Sequence, residues 1–256
     1  MTAISPVRHQ IERLRQEPKR RRLTVESVTA LTPKMRRIVF VSPELADFVT
    51  LSADDHVKVF VADPNEANGV ARRDYTPRAF DAARKALTLD FALHEAGPAT
   101  DWALAAQPGD TLDIGGPRGS TVVADDFDFY LLVGDATALP SIGRRVESLR
   151  PGVAVTTIVV VDGPQEEQVF ATRADWRPVW VHGSGAPTVD AARLVAAVAQ
   201  WTAPDGDGYV WIGAEAQVAR ALKAHMLDER GHPKAWLKAA GYWVRGKAGE
   251  SDRLDG

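Results

Sequence analysis

The feature that most constrains the fold is a change of hydrophobic grammar near Asp128. Before it, apolar and polar residues alternate in short runs: Leu23 to Thr29, Met35 to Val41, His56 to Ala62 and, most strictly, Leu87 to Leu93. Alternation marks strands with one buried face. Thr111 to Ile114 follows the turn triplet Pro108-Gly109-Asp110 and reads the same way. With the segment around Tyr75, six short strands without long helices predict a closed antiparallel barrel over residues 18–127. After Asp128 the apolar runs become continuous, as in Phe129 to Val133 and the β-branched Thr156 to Val161. Such strands are covered on both faces, and helix-like segments separate them, so residues 128–256 predict a mostly parallel α/β domain.

In that second half, Ala138 to Leu149, Ala191 to Trp201 and Glu215 to Arg230 read as helices, the last with Val218, Leu222 and Met226 on one face. Strands are expected at Val153 to Val161, Pro178 to Val181 and Tyr209 to Ile212. The G-x-G-x-x-G fingerprint is absent. Ligands of open sheets sit at the carboxyl ends of the strands, which points to Gly134–Pro140, Asp162 and Gly213–Glu215. Asp162 ends a strand where an acid can accept hydrogen bonds from a nucleotide ribose; a plain loop residue is the alternative. Glu166 and Glu167 follow, and no Lys or Arg lies between Val153 and Ala171, which favours NADH over NADPH; Arg144 and Arg145 on the first helix could reach across.

Charge and composition exclude several classes. A net charge of -3 over 256 residues rules out a phosphate-coating nucleic-acid binder. With no cysteine there is no disulfide and no Cys-ligated zinc or iron–sulfur cluster, in keeping with a cytoplasmic setting. No apolar run is long enough for a bilayer, and the first residues lack a signal-peptide core. Lys19-Arg20-Arg21-Arg22 reads as a solvated tail or first turn, with contact to an acidic ligand as the alternative. The last ten residues, Lys247–Gly256, read as a loose, charged tail.

The chemistry concentrates in Arg73-Asp74-Tyr75-Thr76-Pro77-Arg78. Pro77 biases Thr76 towards extended backbone. Guanidiniums fit phosphate, and a tyrosine ring fits the face of a planar heterocycle. The set suits a flavin nucleotide; an edge strand with surface arginines is the alternative. Gly97-Pro98-Ala99-Thr100 predicts a helix start, whose unpaired N–H groups favour phosphate.

Four motifs in order complete a resemblance: Arg73-Asp74-Tyr75-Thr76-Pro77, Leu89-Asp90-Phe91-Ala92-Leu93-His94, Gly97-Pro98-Ala99-Thr100-Asp101-Trp102-Ala103 and Gly115-Gly116-Pro117-Arg118-Gly119-Ser120. With Gly134-Asp135-Ala136-Thr137-Ala138-Leu139-Pro140, Tyr209 to Glu215 and Gly241-Tyr242-Trp243, they resemble the siderophore-interacting proteins, flavin-dependent ferric-siderophore reductases of the ferredoxin–NADP reductase superfamily. The resemblance implies an FAD-binding barrel followed by a nicotinamide-binding domain. It assigns Arg73, Tyr75, Thr76, Pro77, Asp90, Phe91, Leu93, His94, Ala99, Thr100 and Trp102 to FAD. Thr137, Ala138, Asp162 and Glu215 would face the nicotinamide nucleotide, and Tyr242 and Trp243 would close the flavin site. Lys58, Arg118 and Lys238 match a basic triad for the ferric siderophore, which Arg245 and Lys247 could extend. The implied reaction passes electrons from NADH, or NADPH, through FAD to siderophore-bound iron, with ferredoxin as an alternative donor. No protein metal site, nucleic acid or membrane partner is implied, and a monomer is expected. Two rival readings are a flavin reductase without a siderophore substrate and a non-catalytic siderophore-binding protein.

Overall fold

The structure is a computed structural model that describes residues 8–94, 97–184, 186–247 and 249–254. The first strand, β1 (Ile11–Arg15), precedes the expected barrel; β2 (Arg20–Thr32), β3 (Met35–Val41), β4 (Val57–Ala62), β5 (Val70–Tyr75), β6 (Pro77–Asp81) and β7 (Ala86–Ala92) follow. Helix α1 (Pro98–Ala105), β8 (Thr111–Gly115) and β9 (Gly119–Val123) complete the first half. The sheet runs β5-β4-β8-β2-β3-β7-β6, entirely antiparallel. A closed six-stranded barrel was expected; a seven-stranded half-barrel is found, whose end strands β5 and β6 do not pair with each other. The segment 70–81 breaks at Thr76, and its halves become the two opposite edges of one curled sheet. Pro77 accounts for the break, since it has no N–H to give a ladder and restricts the residue before it. The chain itself, and not a hydrogen-bonded ladder, spans the seam.

Alternation delivers the barrel core. Leu23, Ile38, Phe40, Val57, Val59, Leu87, Leu89, Phe91 and Ile114 are fully buried inside the curl. Each contributes roughly 1.5–3 kcal/mol by leaving water. The basic run Lys19–Arg22 is no tail. It opens β2, and Arg21 is buried, donating to the carbonyls of Lys19, Glu44 and Gly116 and to Asp47.

The second half holds β10 (Phe129–Asp135), α2 (Leu139–Ser148), β11 (Ala154–Val161), β12 (Asp175–His182), α3 (Pro187–Gln200), β13 (Gly208–Glu215), α4 (Ala216–Ala224), β14 (Leu237–Trp243) and β15 (Asp252–Arg253). The sheet order is β12-β11-β10-β13-β14-β15, with the first five strands parallel and β15 antiparallel. Continuous apolar runs are explained by cover on both faces. Tyr130, Leu132, Val155 and Val159 pack towards α2, whereas Leu131, Val133, Val210 and Ile212 pack with residues of α3 and α4. Gly134 lets the first turn close: a Cβ there would lie 2.6 Å from the Ala138 side chain and 2.6 Å from the Gly213 carbonyl. The expected loose tail instead returns to the sheet. Asp252 pairs with Arg220, and the Leu254 carbonyl accepts from Lys223. Among the described residues no helix is long and apolar enough to cross a membrane.

Helix α2 fastens the halves together. Arg144 donates to the Thr50 side chain and carbonyl and to the Pro77 carbonyl, at 2.8–3.0 Å. Glu147 receives both terminal nitrogens of the buried Arg78, each at 2.7 Å.

Candidate functional site

A cleft of about 1760 Å³ runs between the curled sheet and the carboxyl ends of the parallel strands. On the barrel side, Arg73, Tyr75, Thr76, Asp90, Leu93, His94, Ala99 and Thr100 line it. Phe91 and Trp102 stand behind that surface: Phe91 is fully buried, 4.3 Å from the Tyr75 ring and 5.8 Å from Trp102. Pro77 and Ala138 are likewise buried and outside the lining. Tyr75 thus presents a backed ring, and burial raises its phenol pKa, keeping it neutral and a hydrogen-bond donor.

Helix α1 begins at Gly97 with no side-chain cap, and the residues carrying its first amides, Ala99 and Thr100, line the cleft. An uncapped helix start is a donor set for phosphate, and Arg73, whose guanidinium donates to the Arg72 carbonyl at 2.9 Å, lines the same cleft. Asp90 is committed elsewhere, its carboxylate held bidentately by Arg37 at 2.7 Å and approached by Arg78 at 3.6 Å.

A chain of hydroxyls crosses the junction. Thr76 Oγ1 meets Ser141 Oγ at 2.9 Å, and Ser141 Oγ meets the Tyr242 hydroxyl at 2.8 Å. The Tyr242 ring stands edge-on to Trp211 at 5.8 Å, and burial raises its phenol pKa as well. Asp135 ties the strand ends. Its carboxylate accepts from the Thr137 amide and hydroxyl, the Glu215 amide at 3.1 Å and Trp243 Nε1 at 2.9 Å. Burial raises its pKa despite those donors. Glu215 caps α4 through the Gln217 and Val218 amides and accepts from the Arg245 amide. Sequence reasoning singled out Thr137, Glu215 and Trp243 but missed Asp135, which joins them; an acid directly after a buried strand, at a helix-cap position, was its signal. Ser141 was missed too.

Asp162 lines the cleft, and its carboxylate pairs with the ammonium of Lys34, from the turn between β2 and β3. The same turn is gripped by Glu166, which is buried and accepts from the Thr32 hydroxyl at 2.5 Å and the Lys34 amide. The positive charge absent from 153–171 therefore arrives from the other domain.

Lys58, Arg118 and Lys238 all line the cleft. Two of them face carboxylates that sequence reasoning did not foresee. Lys58 Nζ lies 2.8 and 3.0 Å from the Asp74 oxygens, and Lys238 Nζ lies 2.5 Å from Asp54. Burial opposes ionisation of Asp54, but Lys238 and the Ser52 hydroxyl outweigh it and hold the carboxyl at about 2. Trp211 Nε1 adds a bond at 3.3 Å. Arg118, after Pro117, is exposed and has no ion-pair partner among the described residues. Arg245 and Lys247 also reach the lining.

Comparison with known proteins agrees over nearly the whole chain. The model of the siderophore-interacting protein family matches residues 127–246, and that of the siderophore-interacting FAD-binding domain matches 24–70 and 63–121. An NADPH-dependent ferric-chelate reductase of Escherichia coli is 31% identical over 251 residues, covering 91% of this chain and 96% of that protein. The mycobactin import ATP-binding/permease protein IrtA of Mycolicibacterium smegmatis is 29% identical over 91% of this chain, which spans only 27% of that longer protein. The crystal structure of a siderophore utilization protein from T. fusca superposes with a TM-score of 0.87 at 34% identity, covering 94% of this chain and 98% of that one. The chain belongs to the siderophore-interacting protein family.

Proposed function

We propose that this protein is a flavin-dependent reductase that takes electrons from a nicotinamide nucleotide and delivers them to ferric iron held in a siderophore. The observation that carries the reading is the composition of the cleft between the two sheets. It brings a phosphate-binding helix start and Arg73, a backed tyrosine ring, the carboxyl ends of a nucleotide-type sheet and three basic side chains onto one surface. The donor set fits FAD. Arg73 and the Ala99 and Thr100 amides would hold its phosphates, and Tyr75 and Thr76 would lie along its ring and side chain. When bound, FAD supplies the change from a two-electron hydride donor to the one-electron reduction of iron.

The chain itself positions and screens. Thr76, Ser141 and Tyr242 lock the two domains at the junction, so the barrel wall and the strand ends keep one spacing. Trp243, fixed by Asp135, and Tyr242 cover the junction and exclude water. Lys58, Arg118 and Lys238 attract an anionic chelate; the iron needs no ligand from the protein, since the siderophore already supplies them.

For the donor, Lys34 changes the electrostatics. Asp162 alone would repel a ribose phosphate, whereas the Lys34–Asp162 pair offers an acceptor to a ribose hydroxyl and a cation to a ribose phosphate. We therefore place NADPH beside NADH as donor, with Lys34 as the group that admits it. Anaerobic mixing of the flavin-loaded protein with each nucleotide tests this. Bleaching of the flavin band by both, followed by its recovery on adding a ferric siderophore with ferrous iron released, is the expected result. Bleaching without recovery would leave a flavin reductase, the second reading.

A further inference from the structure

We infer that the N-terminal strand forms part of the substrate site: Arg15 of β1, together with Arg118, makes a cationic rim that selects ferric chelates carrying net negative charge. This rests on the reading of the cleft as a ferric-chelate site and names which chelates it favours.

Strand β1 does not belong to the curled sheet. It pairs only with β9, in the register Leu14 to Ser120 and Arg15 to Gly119. The Gln16 amide extends the pairing by donating to the Arg118 carbonyl at 2.9 Å. Gly119 makes this approach feasible, because a Cβ there would lie 2.3 Å from the Leu14 carbonyl oxygen. Lys58 pairs across the ladder with Gly115, four residues earlier. One short connection, from Gly115 to Gly119, thus gathers its own cation and one from each of two strands: Lys58 of β4 at one end, Arg118 within it and Arg15 of β1 opposite the other end. All three residues line the cleft, as does Arg13, which shares a strand face with Arg15.

The charge that remains for a ligand is unequal along this rim. Lys58 is matched by Asp74, and Lys238, across the cleft, by Asp54. Arg20, the neighbouring base, is spent on Asp113. Arg15 and Arg118 are exposed and carry no carboxylate partner among the described residues. Exposed guanidiniums without a carboxylate partner on the lining of a cleft recognise carboxylate or catecholate oxygens by their planar donors and draw an anion in by long-range attraction. They give a cationic chelate no such advantage.

The test compares ferric citrate, an anionic chelate, with ferrioxamine B, a cationic one, as acceptors for the full-length, FAD-loaded protein. Arg15→Glu and Arg15→Lys are assayed beside the wild type, with bound flavin measured from its visible absorbance. The expected result is a ratio of KM for ferric citrate to KM for ferrioxamine B that rises about ten-fold in Arg15→Glu and stays near the wild-type value in Arg15→Lys. The wild-type preference should also shrink as salt is raised. An unchanged ratio in flavin-replete Arg15→Glu, or an equal rise of KM for both chelates, overturns the inference while leaving the reductase intact. Failure of the wild type to reduce either chelate defeats the underlying reading, and this inference with it.

Discussion

At the scale of single residues, the site is a set of acids already engaged by bases, and each pairing makes a prediction. Replacing Lys34 by Ala leaves Asp162 unopposed at the end of the cleft proposed to hold the nucleotide ribose. The expected effect is a loss of about ten-fold in kcat/KM for NADPH with little change for NADH, measured by initial rates with both nucleotides. Asp54 is held at about 2, below the usual carboxylate value near 3.8, so its native state binds fewer protons than the unfolded chain in that interval. Its contribution is complete above pH 4 and disappears as pH falls towards 2. Acid-unfolding curves of Asp54→Asn should accordingly be flatter than wild type between those limits. These partnerships were hard to read from sequence. Arg73, Tyr75 and Thr76 sit in one motif and could be found together, but Asp54 meets Lys238 and Asp162 meets Lys34 only after folding brings distant segments into one cleft.

At the scale of elements, α2 and β1 matter most, and they differ in legibility. Helix α2 announces itself by its apolar stripe after a buried strand, yet its polar face, with Ser141, Arg144 and Glu147, gives no sign of being the clamp between domains. Glu147→Ala would leave Arg78, buried and already with one unbonded nitrogen, without its main partner. Urea unfolding should show a loss of roughly 3 kcal/mol, the scale for orphaning a buried charge. Strand β1 was invisible because Ile11-Glu12-Arg13-Leu14-Arg15 has no alternation; its burial comes from β9, which lies a hundred residues on. Gly119→Ala should detach it, lowering thermal stability by roughly 1–3 kcal/mol, a cost set by the clash with the Leu14 carbonyl. The division of 70–81 into two edge strands was legible in part, since Pro77 marks the break, but only the folded sheet shows that its halves lie at opposite ends of the strand order.

At the scale of the whole molecule, two sheets of different grammar meet along one cleft, and every assigned role depends on FAD lying in it with a nucleotide on one side and a ferric chelate on the other. The change of pattern at Asp128 was enough to predict an antiparallel sheet followed by a mostly parallel one, because each grammar reports how many faces of its sheet are covered, but it gave neither the seventh strand nor the open order of the first sheet. The most direct measurement is anaerobic absorbance of the purified protein incubated with FAD, then NADPH, then a ferric siderophore with a ferrous-iron indicator. The account predicts a retained flavin band, its bleaching by the nucleotide, and its return in step with ferrous iron. Protein that stays colourless after FAD, or a flavin band that the nucleotide leaves unbleached, would contradict it.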